Sequence, residues 1–132
     1  MADFPAPERT PLTEPYWAAL QEGRLTFQRC QQCRHAWLPP RGECPECLEA
    51  DWAWEQASGA GRLVSWVIYH RAFHDWFRDL VPYNVAIVEL EEGPRLISSV
   101  LPPGPARIDQ KLALEIGAVA GMNVPRFRCI AE

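Results

Sequence analysis

Cys30, Cys33, Cys44 and Cys47 follow the spacing C-x2-C-x10-C-x2-C. Each CxxC lets two thiolates face one point from a tight turn, and two such knuckles supply the four ligands of a tetrahedral ion. A closed set of four leaves no open coordination position, so the spacing predicts a structural site. Soft thiolates select zinc or iron. Iron in a rubredoxin-type site uses the same geometry; zinc is preferred because nothing else in the chain suggests electron transfer. A thioredoxin-like redox role needs one CxxC at a strand-to-helix junction, where the helix N-terminus lowers the thiol pKa, and the doubled motif does not fit it.

Between the knuckles lie Trp37, Leu38, Pro39 and Pro40. A unit of about thirty residues cannot bury enough apolar surface to be stable alone, so a metal must supply most of its folding free energy. Trp37 and Leu38 give it a minimal core, and the prolines stiffen the loop so that less entropy is lost on folding.

Other reactive side chains are sparse. His70 and His74 are four apart, but Arg71 stands where a zincin needs Glu. No Gly-rich phosphate loop, GxSxG elbow or dinucleotide fingerprint occurs. Cys129, between Arg128 and Ile130 and two residues from Phe127, reads as a packed small hydrophobe rather than a nucleophile.

The 132 residues suffice for one domain or two small ones, and 48% hydrophobic with 23% charged residues is ordinary for a folded chain. No run of about 18 apolar residues occurs, and the first residues carry neither a basic nor an apolar leader segment, so the reading is a cytosolic protein without a membrane span. In that reducing compartment paired cysteines are metal ligands more often than disulfides. The net charge is −4 and Lys111 is the sole lysine, which argues against a phosphate-tracking surface.

The elements follow from pattern. Pro5, Pro7, Pro11 and Pro15 predict an extended arm over residues 1–15, and Tyr16, Trp17 and Leu20 a short helix ended by Gly23. Strands are predicted in LTFQRC, RLVSWVIYH, PYNVAIVELEEG, PRLISSVL, QKLALEI and NVPRFRCI; Glu92-Gly93 makes a hairpin, and Pro125 confines the last to an edge. Three segments result: arm and helix over 1–25, a rubredoxin-like zinc ribbon over 26–57, and a five-stranded OB-fold barrel over 58–132. The fold class is mainly β.

The ribbon "CQQCRHAWLPPRGECPEC", then "GAGRLVSW", "PYNVAIVELEEGPRLIS" and "VPRFR", together resemble the zinc-ribbon, OB-fold acyl-CoA-associated proteins, a family long labelled as a domain of unknown function. The resemblance covers residues 14–130. It implies an accessory subunit without catalytic residues of its own, partnering a thiolase-fold enzyme (a thiolase, an acyl-CoA retro-aldol lyase or an acyltransferase) and helping to bind acyl-CoA thioesters. Some such proteins also associate with MaoC-like hydratases, and the resemblance suggests side-chain degradation of sterols or aromatic acids as a setting. Arg34 and Leu48 depart from the pattern, occupying knuckle positions where glycine is common.

The segment "YHRAFHDWFRDLVPY" joins two predicted strands and is too aromatic for a solvated loop. With Phe73, Trp76, Phe77 and Leu80 on one helical face it would plug the barrel mouth. Alternatively Tyr69, His70, Phe73, Trp76, Phe77 and Tyr83 contact a partner or acyl-CoA, since aromatics beside Arg are what interfaces use. The rival function, single-stranded nucleic-acid binding on an OB face, would use the same aromatics with a basic surface that this acidic chain lacks.

Overall fold

The computed structural model describes residues 7–72 and 74–130. Helix α1 (Glu14–Gln21) takes Pro15 into its first turn, where the missing N–H removes no helical hydrogen bond. The helix thus begins inside the stretch predicted to be extended. It buries Tyr16, Ala19 and Leu20. Gly23, at φ 81°, ends it, with the N–H of Gly23 donating to Leu20 and that of Arg24 to Ala19.

The ribbon is a three-stranded antiparallel sheet. Strand β1 (Thr26–Cys30) lies between β2 (Ala36–Trp37) and β3 (Trp52–Gln56). At its centre Gln28 is fully buried, and its amide clasps the backbone of Arg41 twice, donating to the carbonyl and accepting from the N–H, both at 2.7 Å. Those bonds satisfy the buried amide and fix the Pro39-Pro40 loop against the sheet.

The second sheet contains β4 (Ala60–Tyr69), β5 (Tyr83–Leu90), β6 (Arg95–Ser98), β7 (Lys111–Leu114) and β10 (Phe127–Cys129), in the order β10-β7-β4-β5-β6. A parallel bridge joins Val100 to Phe127, with Phe127 N–H on Ser99 and Leu101 N–H on Phe127. The ring order becomes β4-β5-β6-β10-β7, a partly open five-stranded Greek-key barrel of OB type. The ten-residue β4 shifts register between Leu63 and Ser65, the bulge that lets one strand serve both sides of the barrel. The predicted hairpin is present: Glu91–Pro94 connect β5 to β6, closed by Leu90 N–H on Pro94 and Gly93 N–H on Leu90.

One apolar core runs through both sheets. Tyr16, Leu20, Leu25 and Phe27 from the helix and ribbon join Leu63, Val88, Leu90, Leu112 and Phe127 from the barrel. Fully burying side chains of this size contributes roughly 1.5–3 kcal/mol each, so ribbon and barrel stabilise one another. Leu38 packs against this shared core, while Trp37 packs with Cys30, Cys44 and Trp52 around the thiols. Trp37 alone therefore serves the private core that the sequence assigned to both.

Three other expectations change. Strands β8 (Gly117–Val119) and β9 (Met122–Val124) form a separate hairpin outside the barrel sheet. The predicted strand NVPRFRCI is broken at Pro125 into β9 and β10, because proline cannot continue a ladder. Between β4 and β5 the described residues of the aromatic segment form only a 3-10 turn, Asp75–Phe77, with no buried residue. Leu80 is 49% exposed, so among the described residues Trp76, Phe77 and Leu80 do not form a buried helical face plugging the barrel.

Candidate functional site

The two cysteine knuckles are built alike. Arg34 N–H donates to the Cys30 carbonyl and Leu48 N–H to that of Cys44, folding each CxxC into a turn. Cys30 N–H donates to His35 and Cys44 N–H to Glu49, closing each turn from the other side. Within the turns, the N–H groups of Gln32 and Cys33 point at Cys30 Sγ, and that of Glu46 at Cys44 Sγ.

All four Sγ atoms lie within 4.8 Å of one another. Cys30 and Cys47 are 3.5 Å apart, and Cys33 and Cys44 3.6 Å. A tetrahedron with metal–sulfur bonds of about 2.3 Å has edges of about 3.8 Å, so the donor set fits one metal ion with little movement. These separations are far longer than a disulfide bond. Cys30 and Cys44 are buried and Cys33 and Cys47 exposed, so the cluster lies at the ribbon surface.

The thiols are tuned unequally. The Cys33 N–H, ahead of the opposing effect of burial and the further help of the Gln32 N–H, holds the Cys30 thiol down at about 7. For Cys44 burial pushes upward but the N–H groups of Cys47 and Glu46 outweigh it, and the net shift is downward. Cys47 is pushed up to about 12: the Glu49 N–H lowers it, but burial and the neighbouring Cys30, Cys33 and Cys44 together prevail. Cys33 is shifted upward: the His35 N–H lowers it, but burial and the Cys44 and Cys30 thiols together prevail. The thiolate is thus favoured at Cys30 and Cys44 and not at Cys33 or Cys47.

At the far end of β4 and the start of β5, Tyr69 and Tyr83 are register partners with ring centroids 5.3 Å apart. Phe77 stacks on Tyr83 at 5.3 Å, and Trp76 meets Phe77 edge-on at 5.1 Å. His74 accepts the Trp76 N–H on Nδ1 at 3.1 Å and caps the 3-10 turn, a structural task. His70 is exposed in the adjoining loop. Four of the six proposed contact residues thus form one aromatic cluster; Phe73 lies outside the described residues. Cys129 packs against the core, and its thiol donates to Gly104 at 3.4 Å.

The sequence did not single out two concavities. One, of about 580 Å³, lies between α1, the Pro39-Pro40 loop and the outer face of β5 and β6, and contains Trp17, Ile87 and Ile97. Ile87 and Ile97 are register partners, and Ile97 is 75% exposed. Their outward place in alternating strands was legible as an apolar pair where polar residues are usual. The other, of about 780 Å³, is bounded by Trp76 and Tyr83, by Pro102 and Pro103, and by Ala118 and Arg126. Nothing local in the sequence brings those three segments together.

Residues 17–53 match the family described as the ChsH2 rubredoxin-like zinc ribbon domain, and residues 54–117 the ChsH2 C-terminal OB-fold domain. A probable enoyl-CoA hydratase alpha subunit of Thermomonospora curvata is 36% identical over 71% of the chain, which spans only 29% of that relative's length. A DUF35 domain-containing scaffold protein of Methanothermobacter thermautotrophicus is 40% identical over 67% of both proteins. Among solved structures, a chain of an Ltp2-ChsH2(DUF35) aldolase superposes with TM-score 0.81 at 31% identity, covering 94% of this chain and 98% of that one. No helix among the described residues is long and apolar enough to cross a membrane.

Proposed function

The chain belongs to the ChsH2 family of zinc-ribbon and OB-fold proteins, and we propose that it is a non-catalytic accessory subunit of a thiolase-fold enzyme acting on acyl-CoA thioesters. The observation that carries the reading is the end-to-end likeness to a chain of an aldolase complex, 94% of this chain at TM-score 0.81. Helix, ribbon and barrel are all included, so the likeness is to a whole subunit rather than to a common module. The relative named as a probable enoyl-CoA hydratase alpha subunit supports a hydratase as a further partner, in this reading a MaoC-like one.

In this reading Cys30, Cys33, Cys44 and Cys47 hold zinc, which cross-links a ribbon too small to fold alone. The aromatic cluster of Tyr69, Trp76, Phe77 and Tyr83 supplies the partner or acyl contact. Large rings held by one another lose little entropy on docking. The chain works in the cytosol, where the thiols stay reduced.

Reconstitution tests it. The chain is mixed with a purified thiolase-like enzyme of the same host, followed by sedimentation and by turnover of acyl-CoA thioesters. Co-sedimentation and a gain in turnover are expected, with Trp76→Ala weakening the complex about tenfold or more while the barrel stays folded. An enzyme equally active without the chain, and no co-sedimentation, would overturn it.

A further inference from the structure

Among the described residues, the cleft between the aromatic segment, the proline loop and the β8–β9 hairpin contains one permanent charge. Its walls are apolar: Ile68, Trp76, Leu80, Pro102 and Val119 are among them. No acidic side chain among the described residues lines it, and Arg126 supplies their single cation. Arg126 Nε is buried without a hydrogen-bond partner. A buried donor on a charged group left unpaired is costly, and arginine is normally retained in such a place by an anion.

The strand opposite is shaped for that side chain. Gly117, at the start of β8, lies under the guanidinium, and a Cβ there would come within 1.7 Å of one Nη and 2.6 Å of Cζ. Only glycine admits the guanidinium to this position. The chain therefore builds a cradle that holds a positive fork at one end of an aromatic and proline-walled cleft of about 780 Å³, within the size range of small-molecule sites.

We propose that this cleft binds a small amphipathic anion, an oxyanion head on Arg126 joined to an apolar or planar body lying against Trp76 and Tyr83. The planar guanidinium presents paired N–H donors that match the oxygens of either a phosphate or a carboxylate. The rings and prolines offer flat surfaces to the remainder. The cleft is lined by this chain alone, and it shares Trp76 and Tyr83 with the aromatic cluster given the partner or acyl contact above, so the test uses the chain without a partner.

Calorimetric titration of the full zinc-loaded chain with adenosine monophosphate, and separately with decanoate, tests it and tells a phosphate head from a carboxylate one. At least one is expected to bind, with a dissociation constant of about 1 mM or tighter. Arg126→Gln should weaken that binding about tenfold or more. Gly117→Ala, which keeps the charge and only displaces the guanidinium, should do the same with an unchanged melting temperature. Binding of neither probe to the wild-type chain, or binding that both variants leave intact, would overturn the proposal.

Discussion

Arg34 and Leu48 hold the same position in the two cysteine knuckles: each follows its second cysteine directly, each donates its N–H to the carbonyl of the first, and their φ angles are 67° and 68°. The turn geometry demands a left-handed residue there. Neither side chain has a Cβ-free backbone to make that easy, and an L-residue in this region costs roughly 1–2 kcal/mol.

Arg34→Gly and Leu48→Gly should therefore each stabilise the protein, by about 0.5–1 kcal/mol after glycine's extra entropy in the unfolded chain is subtracted. Leu48 is 74% exposed, so little packing is lost. Thermal melts with zinc present check this; the double variant should melt several degrees higher.

Replacing Cys44 by Ser should reduce bound zinc from one ion per chain to almost none, read by plasma mass spectrometry, with loss of the tryptophan near-UV signal from Trp37 and Trp52, which pack on the thiols. Because the ion binds thiolates, acid should release it. Affinity is retained at high pH and lost as pH falls and protons compete for sulfur.

Gln28→Ala should cost about 2–4 kcal/mol in denaturant unfolding, since it leaves a cavity and cuts both bonds to the Arg41 backbone. Gln28→Glu keeps the acceptor for the Arg41 N–H but loses the donor to its carbonyl, and should destabilise increasingly as the carboxyl ionises.

Burial pushes the Tyr16 phenol from 10.0 up to about 12. Above pH 10 the unfolded chain loses this proton while the folded chain keeps it. The contribution is complete below pH 10 and is lost as pH rises toward 12, by about 2–3 kcal/mol in all. Tyr16→Phe should remove that alkaline dependence, measured as the difference in unfolding free energy between variant and wild type.

The ribbon was legible because CxxC spacing is a local chemical constraint, and β4 and β5 because long β-branched runs such as Val64 to Tyr69 and Val85 to Leu90 declare themselves. The Glu92-Gly93 turn was legible for the same reason. The β8–β9 hairpin was not: Gly117, Ala118, Ala120 and Gly121 give neither alternation nor bulk, and what defines the hairpin is tertiary, including Asn123 donating to the Leu20 carbonyl at 3.0 Å. The aromatic segment misled in the opposite way. Its apolar spacing suited a helix, but stacking of Phe77 on Tyr83 at the start of β5 holds it as a short turn. The Arg126 cradle depends on Gly117, nine residues earlier in a strand that the pattern did not mark.

The central claim is partnership with a thiolase-fold enzyme on acyl-CoA, and its most direct test is affinity capture of the tagged chain from its native host, with mass spectrometry of what remains bound after high-salt washing. The account predicts a thiolase-like protein in near-stoichiometric yield. Recovery of RNA or ribosomal proteins, with no thiolase-like protein, would contradict it and make the barrel a nucleic-acid module.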